Sequence, residues 1–109
     1  MNHKLLQLLG MARKANRLSL GHDAALEAVL AKKARLCVFA SDASERLERE
    51  FARAARDYED ELKIIRIPFT IQEIRGAVGY KAGVLAVNDD GFAKAVRKLY
   101  LETQEGMPL

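Results

Sequence analysis

The chain has 109 residues, half of them apolar and 30% charged, with a formal net charge of +3. That is one domain's worth of sequence with enough apolar material for a core, which excludes a disordered chain and any need for metal or disulfide staples. The apolar runs are too short to cross a bilayer, Met1-Asn2-His3-Lys4 opens no signal-peptide pattern, and the single cysteine, Cys37, fits a reducing cytoplasm. One cysteine and two histidines also cannot complete a four-ligand zinc site without carboxylates, and no cofactor is expected.

The charge is unevenly spread. Residues 1–40 carry seven Lys/Arg against two acids, residues 41–62 four against eight, and residues 63–109 seven against five. A basic first third beside an acidic middle gives an electrostatically polar molecule with one end suited to a polyanion.

In chain order, Asn2 caps a first helix with Leu5, Leu8, Leu9 and Ala12 at helical spacing to about Ala15. Leu18-Ser19-Leu20 reads as a short strand, and Gly21 opens a second helix to about Lys33. Leu36 to Ala40 is a continuous apolar run, as expected of a strand buried on both faces. Asp42 with Glu45 three residues on resembles a capping box for a third helix burying Leu47, Phe51, Ala54, Ala55 and Tyr58. Ile64 to Ile67 is a strand stopped by Pro68, and Thr70-x-x-Glu73 is a second capping box opening a short helix closed by Gly76 and Gly79. Val84 to Val87 is the last strand, and Asp89-Asp90-Gly91 turns into a final helix with Phe92, Val96 and Leu99 inward. The fold class is therefore α/β, a three-layer sandwich with helices on both faces of a four-stranded mixed sheet, with one domain over residues 1–101 and a tail over 102–109.

Several groups are candidates for chemistry. Asp42 and Asp89 each follow a strand, so carboxylates at two strand ends can be imagined holding Mg²⁺, although each also has work as a helix cap. His3 and His22 lack a partner base or nucleophile pattern, and Cys37 lies mid-strand as a small, unreactive hydrophobe. Gly76-Ala77-Val78-Gly79 followed by Tyr80-Lys81-Ala82-Gly83 is a glycine-punctuated loop entering a strand, unlike a P-loop or dinucleotide fingerprint. The start of the second helix, Gly21-His22-Asp23, offers free N–H groups to phosphate, with Lys14 and Arg17 just upstream. Asp23 repels phosphate there but can accept from base N–H groups.

The ordering Leu8-Leu9-Gly10-Met11-Ala12-Arg13-Lys14-Ala15, then Leu20-Gly21-His22-Asp23, then Ala34 through Ser44, then Asn88-Asp89-Asp90-Gly91-Phe92-Ala93 resembles the ribosomal L-seven-Ae family, more narrowly its bacterial YlxQ-type branch. The resemblance runs from about Leu5 to Leu99. It implies a sandwich that binds structured RNA, typically kink-turns, whose three-nucleotide bulge and tandem sheared G·A pairs bend the helix. It also implies that the RNA meets the start of the second helix and the loop before the last strand. The family's Asn-Glu-x-x-Lys signature falls on Asp23, Ala24 and Glu27, and its second contact loop on Gly79 to Gly83.

The expected function is thus non-catalytic binding of structured RNA, ribosomal or kink-turn, by a cytoplasmic monomer near the ribosome. Lys14, Arg17, Gly21, His22, Asp23, Glu27, Gly79, Tyr80, Lys81 and Ala82 are the expected contacts. Two rivals are a protein-interaction module that kept the fold and lost kink-turn affinity, and a metal-dependent phosphate-handling enzyme using Asp42 and Asp89.

Overall fold

The computed structural model describes residues 3–58 and 60–105. Helix α1 (His3–Lys14) leads into strand β1 (Leu18–Leu20), then α2 (His22–Leu30), β2 (Leu36–Phe39) and α3 (Glu45–Ala54) with a 3₁₀ turn over Ala55–Asp57. There follow β3 (Lys63–Arg66), α4 (Ile71–Val78), β4 (Val84–Val87) and α5 (Asp90–Glu105). The strands make one mixed sheet in the order β1-β4-β2-β3. β4 is antiparallel to both neighbours, with Leu20 opposite Leu85 and Phe39 opposite Val84, while β2 and β3 are parallel. The three-layer sandwich expected from the alternating helix and strand signals is the observed one.

Strand alternation splits the apolar residues between two cores, because successive side chains point to opposite faces. Leu36, Val38, Ile65, Leu85 and Val87 face α1, α4 and α5, where Leu5, Leu9, Ile74 and Val96 meet them. Cys37, Phe39, Val84 and Ala86 face the other way, against Ala25, Val29 and Phe51 of α2 and α3. Phe39 and Phe51 pack edge to face, centroids 5.5 Å apart. Both strand faces are covered, which is why β2 and β4 read as unbroken apolar runs.

The element starts and stops differ from the sequence reading in instructive ways. α2 ends at Leu30 rather than Lys33. Lys32 takes φ 60°, and the Lys33 N–H folds back to the Ala28 carbonyl at 2.9 Å, steering the chain into β2 with no glycine to announce it. Ser44, not Asp42, caps α3, its Oγ accepting from the Leu47 N–H at 3.1 Å. Asp42 instead reaches the start of α4, where its Oδ1 accepts from the Ile71 N–H at 2.9 Å. The Thr70–Glu73 capping box is present in full. Gly79 alone, at φ 76°, closes α4; Gly76 lies within the helix. Asp89 caps α5, accepting from the Phe92 N–H at 2.8 Å, and that helix continues past Glu102 to Glu105. The Asn2 cap expected for α1 lies outside the described residues.

One side chain organises the connection after β2. Arg66 Nη1 donates to the carbonyls of Ala40 at 2.9 Å and Ala43 at 2.8 Å, and its Nε and Nη2 donate to Glu48 Oε1 at 3.0 and 2.6 Å. The guanidinium thereby ties the end of β3 to the β2–α3 turn and to the first turn of α3. Removing it leaves carbonyls short of a donor and a carboxylate without its partner. Arg66→Met is expected to destabilise the fold by about 1–3 kcal/mol, read as a lowered denaturation midpoint with an unchanged slope.

Candidate nucleic-acid interface

The antiparallel β4 brings the end of β1 and the start of β4 to the same end of the sheet. Gly21, following β1, donates its N–H to the Val84 carbonyl at 3.0 Å, so the start of α2 is pinned beside the α4–β4 turn. Gly21 has φ 90° and ψ 171°, a conformation essentially reserved for glycine, and it provides no side-chain cap to the helix it opens. A Cβ placed on Gly21 would lie 3.6 Å from Tyr80 Cε1, which shows how closely the tyrosine ring approaches this backbone. Tyr80 is 48% exposed, and Lys81 beside it is exposed as well. Gly79, left-handed, makes the tight exit from α4 that presents them, its N–H held by the Arg75 carbonyl at 2.8 Å. Ala82 is buried, so only its backbone remains for a ligand.

On α2, His22, Asp23, Ala24 and Glu27 all face solvent. His22 Nδ1 lies 2.8 Å from Asp23 Oδ1 and its Nε2 lies 3.0 Å from Glu50 Oε1 on α3. The ring also meets Phe51 edge-on at 6.0 Å. The hydrogen bond to Asp23, then that to Glu50, holds the imidazole pKa above its ordinary value of 6.5. When protonated, the ring can donate to both carboxylates and offset their charge. The Glu50 partner lies 28 residues away in sequence, and no local pattern announces it.

The expected residues therefore form two groups. Gly21, His22, Asp23, Glu27, Gly79, Tyr80, Lys81 and Ala82 gather at one end. Arg17 sits at the other end of β1, where its carbonyl accepts from the Asn88 N–H at 2.8 Å. Lys14 lines a cleft between α1 and α4 with Gln7, Met11, Glu73 and Ala77. Three strand residues of about 3.3 Å each put roughly 10 Å between Arg17 and the start of α2, so closeness in sequence does not become a shared cradle.

The carboxylate pair imagined for a metal does not form. β2 and β4 are antiparallel, so Asp42, after β2, and Asp89, after β4, lie at opposite ends of the sheet, each capping a helix. Among the described residues no group of three or more His, Cys, Asp or Glu could hold a metal ion. Cys37 is buried mid-sheet, and desolvation pushes its thiol up to about 12. Among the described residues, no helix is long and apolar enough to cross a membrane.

A Ribosomal protein L7Ae/L30e/S12e/Gadd45 family model matches residues 3–96, and the chain belongs to that family. The RNA-binding protein YlxQ of Enterococcus faecium is 28% identical over 100 residues, covering 88% of this chain and 90% of that protein. A Bacillus halodurans protein of unknown function superposes with a TM-score of 0.83 at 25% identity, over 93% of this chain and all of that one. The Giardia lamblia 15.5kD RNA binding protein shares the fold at a TM-score of 0.68 and 18% identity, over 98% and 93% of the two chains. A ribosomal-protein family and an RNA-binding relative place the chain among binding proteins, not enzymes.

The His22 arrangement makes a pH-dependent prediction. Because the folded pKa is raised, the stabilisation from the charged contacts is full below the unfolded value near 6.5 and is lost as pH rises through the folded value. Ring-proton NMR titration is expected to give a midpoint above 6.5, lowered by Asp23→Asn and by Glu50→Gln. The melting temperatures of the wild type and Glu50→Gln should differ below the unfolded value near 6.5, and the difference should shrink as pH rises through the folded value.

Proposed function

We propose that the chain binds structured RNA without catalysis, at the end of the sheet where the start of α2 meets the α4–β4 turn. The observation that carries this reading is the exposed Tyr80 ring lying against the glycine start of a helix that has no side-chain cap there. The ring offers a stacking face to an unpaired base, the first-turn N–H groups of α2 and exposed Lys81 hold phosphates, and Asp23 accepts from a base edge. Family membership and the RNA-binding relative support the same assignment. Lys14 and Arg17 come into play for RNA that extends along the β1 edge. The setting we infer is the cytoplasm, on or near the ribosome.

The finer RNA class is a kink-turn or a related bent motif, with a weakened grip. At the family's Asn-Glu-x-x-Lys positions the chain carries exposed Asp23, Ala24 and Glu27. Ala24 has no acceptor for a base N–H, and Glu27, one helical turn beyond Asp23, adds a like charge on the same face. Asp23 is engaged by His22, whereas Glu27 makes no ion pair among the described residues.

Two titrations test this. Binding of a kink-turn hairpin should weaken with salt, log K falling against log salt with a slope of roughly −2 to −4 for three to five phosphates, and Lys81→Ala should weaken it without lowering the melting temperature. The double change Ala24→Glu with Glu27→Lys should tighten binding by about tenfold, the worth of one charge-assisted hydrogen bond. A salt-independent interaction, or equal and negligible binding by wild type and double variant, would shift the assignment to a protein-interaction module.

A further inference from the structure

The acidic middle third of the sequence folds into a surface of the opposite character. Arg46, Arg49, Arg53 and Arg56 are all exposed, and the first three fall within an arc of about 60° on α3 at 3.6 residues per turn. Arg56 continues the row on the 3₁₀ turn. This face lies almost diametrically opposite buried Phe51, so the arginines have no part in the core. Of the carboxylates on the same helix, two are drawn off this face and Glu45 lies beside the row. Glu48 is held by Arg66 and Glu50 by His22, while Glu45 makes only a 4.0 Å approach to Arg49. Among the described residues, Arg46, Arg53 and Arg56 make no ion pair.

We infer that this arginine face, on the helix packed against the start of α2, is a second RNA-contacting surface that reads the phosphate backbone of a helical stem. The inference rests on the RNA-binding assignment above and extends it to a site that its loops do not contain. Two contacts hold together the helices that carry the two surfaces: the His22–Glu50 hydrogen bond and the edge contact of His22 on Phe51. Both fix α3 against the start of α2, and α3 begins at that same end of the sheet, after β2. From Arg46 to Arg56 the row runs about 15 Å at 1.5 Å per residue, enough to follow several phosphates of one strand. The residue type matters, because a guanidinium fork meets two phosphate oxygens at once and is more weakly hydrated than an ammonium. The exposed face of α3 carries arginines and no lysine.

The test uses fluorescence titration of a kink-turn hairpin having a full helical turn of stem on each side. It compares the wild type, Arg49→Gln with Arg53→Gln, Lys81→Ala, and a charge-matched control, Lys94→Gln with Lys98→Gln, on the opposite layer. The α3 double variant is expected to bind at least about fivefold more weakly and to flatten the salt slope by about 1.4–1.8, two phosphate contacts' worth. Its melting temperature should be unchanged, and the α5 control should keep the wild-type slope. Wild-type affinity and slope in the α3 variant, with Lys81→Ala weakened, overturn the arginine surface and leave the α2 site standing. An equal loss in the α5 control overturns it too, reducing the effect to net charge. No wild-type binding to this hairpin or to ribosomal RNA overturns both assignments together.

Discussion

β4 hydrogen-bonds to β1 on one side and β2 on the other, antiparallel to both. That insertion decides which loops share an end of the molecule. The turn entering β4 meets the helix leaving β1, so a glycine helix start and an exposed tyrosine become neighbours although 59 positions separate Gly21 from Tyr80. The same direction sends Asp42 and Asp89 to opposite poles, where each stabilises a helix instead of converging on a metal. A parallel β4 would have exchanged these outcomes, placing the two carboxylates together and moving the tyrosine away from α2.

Side-chain capping is distributed in keeping with that geometry. α3, α4 and α5 begin on Ser44, Thr70 and Asp89, and Asp42 adds a second acceptor at α4. One or two of the orphan amides at each of those starts thus find a side-chain acceptor within the protein. α2 begins on a glycine whose own N–H is committed to the sheet and which has no side chain to lend. Negative charge is handled with the same economy: Glu48 and Glu50 are drawn to Arg66 and His22, which leaves Glu45 as the one α3 carboxylate beside the arginines.

Much of this was legible in the residues. The Thr70–Glu73 box, the apolar runs of β2 and β4, and Gly21 as a helix start all rest on local rules, and the structure keeps them. What was not legible depended on pairing direction or on faces. Periodicity does not reveal that β4 is antiparallel, so the distance between Asp42 and Asp89 was hidden. Arg17 and Lys14 read as part of the α2 site because sequence proximity ignores the length of β1. A net charge summed over residues 41–62 cancels the arginines against acids such as Asp42, Glu48 and Glu50 that are engaged elsewhere. The end of α2 escaped because a lysine, not a glycine, takes the left-handed turn. Ser44 and Asp42 could each cap α3, and only the position of α4 decides which does.

Cys37 is fully shielded in the middle of β2, between the Ala86 and Ile64 positions of its neighbours, with its thiol pushed up to about 12. A thiol so placed is silent toward alkylating reagents while α2 and α3 cover that face of the sheet and becomes reactive only when this layer lifts or the fold opens. The protein therefore carries a built-in clock for the opening of this core, in which the rate of Cys37 modification counts the excursions of the α2–α3 layer from the sheet. It also leaves the outer surface chemically blank to such reagents among the described residues, so a single engineered thiol can take a fluorophore or spin label while the native cysteine is left in place.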